Sequence, residues 1–200
     1  MRNREAMSNA FTMPLQITIR PCTEADLPNL EWFGMFTEHR EIIRSAFDRQ
    51  ASGDTEMLVA DANNFPVGQV WIDYARKRDK NCSLLWAVRV FPALQRTGIG
   101  TRLIGAAENM IRQRAVAWVE VEVERNNSKA RHFYERLGYR FTSTASDSYS
   151  YITPDGVPVT VPLDLWILHK ELSAAPEIDC SESVRSGRVS AGADQDATLR

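Results

Sequence analysis

Val90-Phe91-Pro92-Ala93-Leu94-Gln95-Arg96-Thr97-Gly98-Ile99-Gly100-Thr101 stands between an apolar run and an amphipathic one. Residues 84–90 read as a strand, stopped by Pro92. After Gly100, Leu103, Ala107, Met110 and Ile111 recur at helical spacing and predict a helix with one buried stripe. A strand that enters a helix through Gly98 and Gly100 lets a ligand approach the backbone closely, because glycine has no Cβ. The first N–H groups of a helix have no partner inside it and, with the helix dipole, suit an anion such as phosphate. Arg96 and Arg102 could add charge at the rim, although a solvated loop arginine accounts for Arg96 equally well. A dinucleotide fingerprint would need a glycine where Leu103 stands, and a nucleotide P-loop would need a Gly-Lys-Ser/Thr ending that is absent.

On the N-terminal side, residues 15–21 alternate apolar and polar and predict a strand. Thr23 with Asp26 predicts a helix cap, and Ile42, Ile43, Ala46 and Phe47 predict a second helix over about 38–49. Residues 57–60 and 67–74 flank Asn63-Asn64 as a strand pair. On the C-terminal side, residues 118–123 alternate strictly: Val119, Val121 and Val123 face one way, Trp118, Glu120 and Glu122 the other. Ser128 or Asn127 caps a helix whose stripe is Ala130, Phe133, Tyr134 and Leu137, with Gly138 at its C-terminal cap. Residues 140–144 predict a short strand, residues 149–161 a separate hairpin around Pro154-Asp155-Gly156, and residues 163–172 a last strand. Pro158 and Pro162 mark that hairpin as an edge or an exposed arm. The class is therefore α/β or α+β with a mixed sheet. Residues 1–13 are expected to be a flexible tail, residues 14–172 one domain, and residues 173–200, small and polar without periodicity, a disordered tail.

The 200 residues are 44% hydrophobic and 25% charged, with net charge -2, which gives no basic footprint for nucleic acid or an anionic membrane. Residues 1–13 lack the continuous apolar core of a secretory signal. Cys22, Cys82 and Cys180 are odd in number and too far apart in sequence for a zinc pair, so they are expected as free thiols in a cytoplasmic protein. His39, His132 and His169 are scattered, and none is assigned to a metal; His39 and His132 are expected on helix surfaces. Four of the five tryptophans fall on predicted strands, where packing accounts for them.

Two segments together resemble the GNAT superfamily of N-acetyltransferases. One is Gln95 with Gly98 and Gly100; the other is Asn127-Ser128-Lys129-Ala130-Arg131-His132-Phe133-Tyr134-Glu135-Arg136-Leu137-Gly138-Tyr139. The element order resembles that family from about Leu15 to about Leu172. The resemblance implies a mixed sheet of about seven strands flanked by about four helices. It implies acetyl-CoA as cosubstrate, no metal, and a small-molecule or peptide amine as acceptor; dimers are common in the family. Its pyrophosphate would sit on Gln95, Arg96, Thr97, Gly98, Ile99, Gly100 and Thr101. Its pantetheine arm would lie where the fourth and fifth strands splay, bonded by backbone groups of Val88, Arg89 and Val90. Asn127 would contact the cofactor and Tyr134 would reach the sulfur as acid.

For the base, the resemblance points Glu120 and Glu122 toward the acceptor groove, against the simpler reading of a solvated strand face. Asp73 is a weaker candidate, and water alone is a third reading. Tyr134 also lies on the buried stripe of its helix, so a core role competes with catalysis. The three carboxylates hint at a cationic acceptor if they face the groove. The 149–161 hairpin either overhangs that groove or is a surface ornament or dimer contact. An enzyme competes with a non-catalytic acyl-CoA sensor or scaffold of the same fold, and a nucleotide-binding regulator is disfavoured by the missing third glycine.

Overall fold

The computed structural model describes residues 14–153 and 155–172. The expectations for the two tails lie outside the described residues.

Seven strands form one sheet: β1 Thr18–Pro21, β2 Thr55–Ala62, β3 Phe65–Asp73, β4 Cys82–Val90, β5 Trp118–Glu124, β6 Arg140–Ile152 and β7 Pro158–Glu171. Three α-helices accompany them: α1 Arg40–Asp48, α2 Ile99–Gln113 and α3 Ser128–Arg136. The strand order is β1-β2-β3-β4-β5-β7-β6, with β4 and β5 parallel and every other pair antiparallel. The mixed sheet matches the class read from the sequence.

The predicted first helix is instead a 3₁₀ segment over Glu24–Glu31. Pro28 lies inside it and lacks the N–H that an α-helix would use there. Its start follows the expected pairing: the Thr23 N–H and hydroxyl both donate to Asp26, at 2.8 Å each. The second helix is shorter than expected, because residues Thr37–His39 are 3₁₀ and α1 begins at Arg40. α2 starts one residue before Gly100, with Gly98 as its cap.

The short strand and the separate hairpin are corrected to one long ribbon of β6 and β7, paired without a break from Ser143↔Ile167 to Ile152↔Pro158. Its prolines fall where only one neighbour exists. β5 leaves β7 at Glu124↔Leu165, so Pro158 and Pro162 pair with β6 alone, where a missing donor is tolerated.

Two apolar layers sandwich the sheet. On one face α2 and α3 cover Val70, Ile72, Leu85, Val119, Val121 and Val123, all buried. On the other, the 3₁₀ segment and α1 cover Val59 and Trp71 with Leu30, Ile43 and Ala46. Gly68 allows α2 its close approach: a Cβ there would stand 3.0 Å from Leu103 Cδ1 and 3.2 Å from Ile99 Cγ2. Among the described residues, no helix is long and apolar enough to cross a membrane.

Candidate active site

β4 and β5 run side by side for only half their length. Their parallel pairing covers Cys82↔Trp118 to Leu85↔Val121 and then stops, although β4 continues to Val90 and β5 to Glu124. The cause lies in β4. Its ladder with β3 shifts register between Gln69 and Trp71, and Ala87, not a glycine, takes φ +49°. That extra residue is a β-bulge, which bends a strand and ends its pairing. Past the bulge, Val88 and Val90 pack on the α2 side, while the Arg89 guanidinium lies on the other, 4.0 Å from the Phe36 ring centroid. The backbone of Val88, Arg89 and Val90 thus borders a gap in the sheet.

The mouth of that gap is the start of α2. Gly98 has φ +90°, the left-handed region open to glycine, and no side chain caps the helix. The first bond into the helix runs from Arg102 N–H to Gly98 O at 3.1 Å, so the N–H groups of Ile99, Gly100 and Thr101 precede the helical ladder. Gln95, Arg96, Thr97, Gly98 and Thr101 are exposed, Gly100 is half-buried and Ile99 is buried. The loop is braced from within: Gln95 Nε2 donates to Val90 O at 3.2 Å and Thr97 Oγ1 to Leu94 O at 2.7 Å. Among the described residues neither Arg96 nor Arg102 enters an ion pair.

α3 faces the same gap from the far side: a Cβ at Gly100 would stand 3.4 Å from Phe133 Cζ. Asn127, rather than Ser128, caps α3, its Oδ1 accepting from Ala130 N–H at 3.0 Å, and Gly138 has φ +90° past the helix end. Tyr134 is 7% exposed, with ring centroids 5.1 Å from Phe133 and 5.4 Å from Tyr139. Its hydroxyl makes no hydrogen bond among the described residues, and burial holds it well above the ordinary phenol range.

The candidate bases differ sharply. Glu120 is 3% exposed, which sets aside the solvated-face reading. One of its oxygens accepts from Lys77 Nζ and the other meets His169 Nε2 at 2.5 Å. Asp73 is also buried and committed, to Arg49 at 2.9 Å and to the N–H groups of Ala75 and Arg76. Glu122 makes no close hydrogen bond; Lys77 and Arg76 stand 3.6 and 3.9 Å away. Burial raises its pKa above the usual glutamate range.

On the α1 face, two cavities of about 320 and 400 Å³ share Trp86 and Arg49 as a wall. Ser150, Tyr151 and Ile152 of the ribbon border the first; Asp73 and Arg76 border the second. His39 is not the surface residue expected: it is half-buried, its ring 5.9 Å from both Tyr149 and Tyr151. Sequence reading missed Trp86 as part of this wall, and His39, Gln69 and the Arg89 side chain on the same face. Only the bulge and the cross-strand register bring them together.

A sequence profile of the acetyltransferase (GNAT) family matches residues 24–139. The uncharacterized N-acetyltransferase YhfO of Bacillus subtilis (strain 168) is 27% identical over 117 residues, 52% of this chain and 78% of that protein. Among solved structures, the ribosomal-protein-S18-alanine N-acetyltransferase of Escherichia coli superposes with a TM-score of 0.61 at 21% identity, over 82% of this chain and 98% of its own. YncA of Salmonella typhimurium, solved with acetyl-CoA, superposes at 0.60 and 20% identity over 82% and 98%. PaiA N-acetyltransferase of Thermoplasma acidophilum, solved with coenzyme A, superposes at 0.55 and 20% identity over 78% and 99%. At these identities the structures establish the shared fold.

Proposed function

Because the chain belongs to the GNAT acetyltransferase family, we propose that it moves an acetyl group from acetyl-CoA to the primary amine of an acceptor. The observation that carries this reading is the gap between β4 and β5, opening beside an uncapped helix start. An elongated cosubstrate with an anionic end fits that pair of features: a diphosphate on the N–H groups of Ile99, Gly100 and Thr101, and an arm against the free backbone edge of Val88, Arg89 and Val90. Gln95, Arg96, Thr97 and Gly98 would line the anionic end and Asn127 the far wall. Acetyl-CoA supplies the activated acyl group when bound.

The chain's own residues would then do three things. Backbone N–H groups beside the bulge would stabilise negative charge developing on the acyl oxygen. A base would take a proton from the acceptor amine, which with a pKa of roughly 10 is mostly protonated at neutral pH. Glu122 suits this better than Glu120 or Asp73, since it is desolvated yet not bound on both oxygens. Tyr134, kept protonated by burial, would donate to the departing sulfur. The buried free thiols of Cys22 and Cys82 accord with a cytoplasmic setting.

Calorimetry with acetyl-CoA, followed by a panel of amines read by thiol release, tests the proposal. Saturable binding and thiol release with at least one amine are expected. Absence of binding to folded protein sinks it. Binding with no product from any amine favours a non-catalytic acyl-CoA sensor instead.

A further inference from the structure

Six buried side-chain polar atoms lack a hydrogen-bond partner among the described residues, and four lie on the α1 face: Trp86 Nε1 in the cavity wall, with Gln69 Nε2, Arg89 Nη1 and His39 Nδ1 behind it. Register sets them side by side. Gln69 pairs across the ladder with Arg89, and Trp71 with Trp86, the two indole rings 4.6 Å apart. Gln69 is fully buried, and its amide orientation is fixed: Trp71 Nε1 donates to Oε1 at 2.9 Å, so Nε2 is the free donor. Arg89 stacks on Phe36, whose ring is 5.8 Å from that of His39. Buried donors are normally matched by acceptors, and a group of them without one marks a missing partner.

The charges around this wall are unevenly settled. The acids of β3, β5 and β6 each have a cation: Asp73 has Arg49, Glu120 has Lys77, Glu122 has Lys77 and Arg76, and Asp147 has Arg76. Arg89 has none. Burial pulls its pKa down to about 10. The three acids that hinted at a cationic acceptor are thus neutralised within the protein, while Arg89 is buried without a counter-ion and Glu38 and Glu41 lie nearer the cavity mouth.

We propose that Gln69, Trp86 and Arg89, with His39 beside them, bind a carboxylate carried by the acceptor a few bonds from its reacting amine. This rests on the acetyltransferase reading and names the substrate class of that site. One guanidinium with neutral N–H donors around it suits a single negative charge on two oxygens. The separation follows from Arg89 itself, whose backbone borders the gap while its side chain reaches the wall, so amine and anion lie within one arginine length. Trp86, exposed to both cavities, gives the entry.

Matched acceptors test this: glycine against glycinamide, phenylalanine against phenylalaninamide, and phosphoethanolamine against ethanolamine, each read as kcat/KM by thiol release. The less basic amine of an amide favours the amide chemically, so a preference for the acid reports recognition. In the wild type the acid of each amino-acid pair is expected to lead by roughly 30-fold or more, and Arg89→Gln to bring the ratio within about threefold. A second readout needs no turnover and no variant: N-acetylphenylalanine, but not its amide, is expected to quench tryptophan fluorescence saturably in the coenzyme A complex. Turnover with amides equal to or ahead of acids overturns the inference and leaves the acetyltransferase reading standing. No turnover with any amine, together with saturable quenching by the acid alone, overturns the acetyltransferase reading and the acceptor role with it, and leaves only a carboxylate-binding wall. Absence of both overturns both, and a lead for phosphoethanolamine over the amino acids assigns the wall to phosphate and overturns the carboxylate.

Discussion

Lys170 on β7 donates to both carboxylate oxygens of Glu108 on α2, at 2.8 Å each, across 62 residues of sequence. The Tyr139 hydroxyl donates to the same carboxylate at 3.1 Å, and Arg112 stands 3.4 Å away. This buried junction ties the helix that begins at the candidate anion site to the far half of the sheet. Glu108→Ala leaves an ammonium and a phenol without their acceptor, at a cost of about 2–3 kcal/mol. Thermal denaturation is expected to show a loss of roughly 5–10 °C, with Glu108→Gln intermediate.

Acid stability has a nameable source. Arg20 holds Asp26 through two bonds, of 2.7 and 2.8 Å. With Thr23, it outweighs burial and sets the Asp26 carboxyl at about 2 against an ordinary 3.8. A carboxyl lowered by folding contributes stability above its unfolded pKa and loses it as pH falls through the folded one. About 2 kcal/mol is therefore expected to disappear between pH 4 and pH 2. Urea unfolding of Asp26→Asn should show lower stability at pH 6 and a flatter acid limb; an unchanged limb contradicts the assignment.

Glu120 and Glu122 should separate by observable. Glu120→Gln weakens the tie to Lys77 and His169, so it is expected to lower the melting temperature. Glu122→Gln should barely move melting yet lower kcat/KM by about 100-fold or more. Because burial raises the Glu122 pKa, activity should fall with decreasing pH at a midpoint above the usual glutamate value of 4.5. That limb should vanish in Glu122→Gln. If the limb persists there, another group is the base.

Two glycines can be told apart in the same way. Gly98→Ala meets nothing within 4 Å but forces a Cβ onto φ +90°, costing about 1 kcal/mol and weakening acetyl-CoA binding by calorimetry. Gly68→Ala has an ordinary φ but meets Leu103 at 3.0 Å, so overpacking of roughly 1–3 kcal/mol is expected in the melt.

Removing residues 151–159 shortens the ribbon that borders the smaller cavity. Acceptor selectivity is expected to change in the amine panel while acetyl-CoA binding persists. Unchanged selectivity and turnover would make the ribbon an ornament.

The helix start near Gly100 and the cap at Ser128 or Asn127 were legible to within a residue because their signals are local, a few residues around each glycine or asparagine. The ion pairs of Glu120 were not, since Lys77 and His169 lie 43 and 49 residues away and alternation alone suggests a wet face. Nor was the wall around Arg89. Strict alternation along 84–90 puts Val88 and Val90 on the Trp86 side, and the bulge at Ala87 reverses this. The ribbon was read as two pieces because Pro158 and Pro162 look like breaks, whereas β7 tolerates them once β5 has turned away.

The residue count of β4 has an outcome of its own. Deleting Ala87 alone would remove no charge and no side chain larger than a methyl. Yet it would make the strand regular, let Trp86, Val88 and Arg89 continue the ladder along Glu122, Val123 and Glu124, and zip the gap shut. The shortened chain is expected to be a better sheet that no longer admits a thioester. Along this strand a substitution alters one contact, whereas loss of one position closes the doorway.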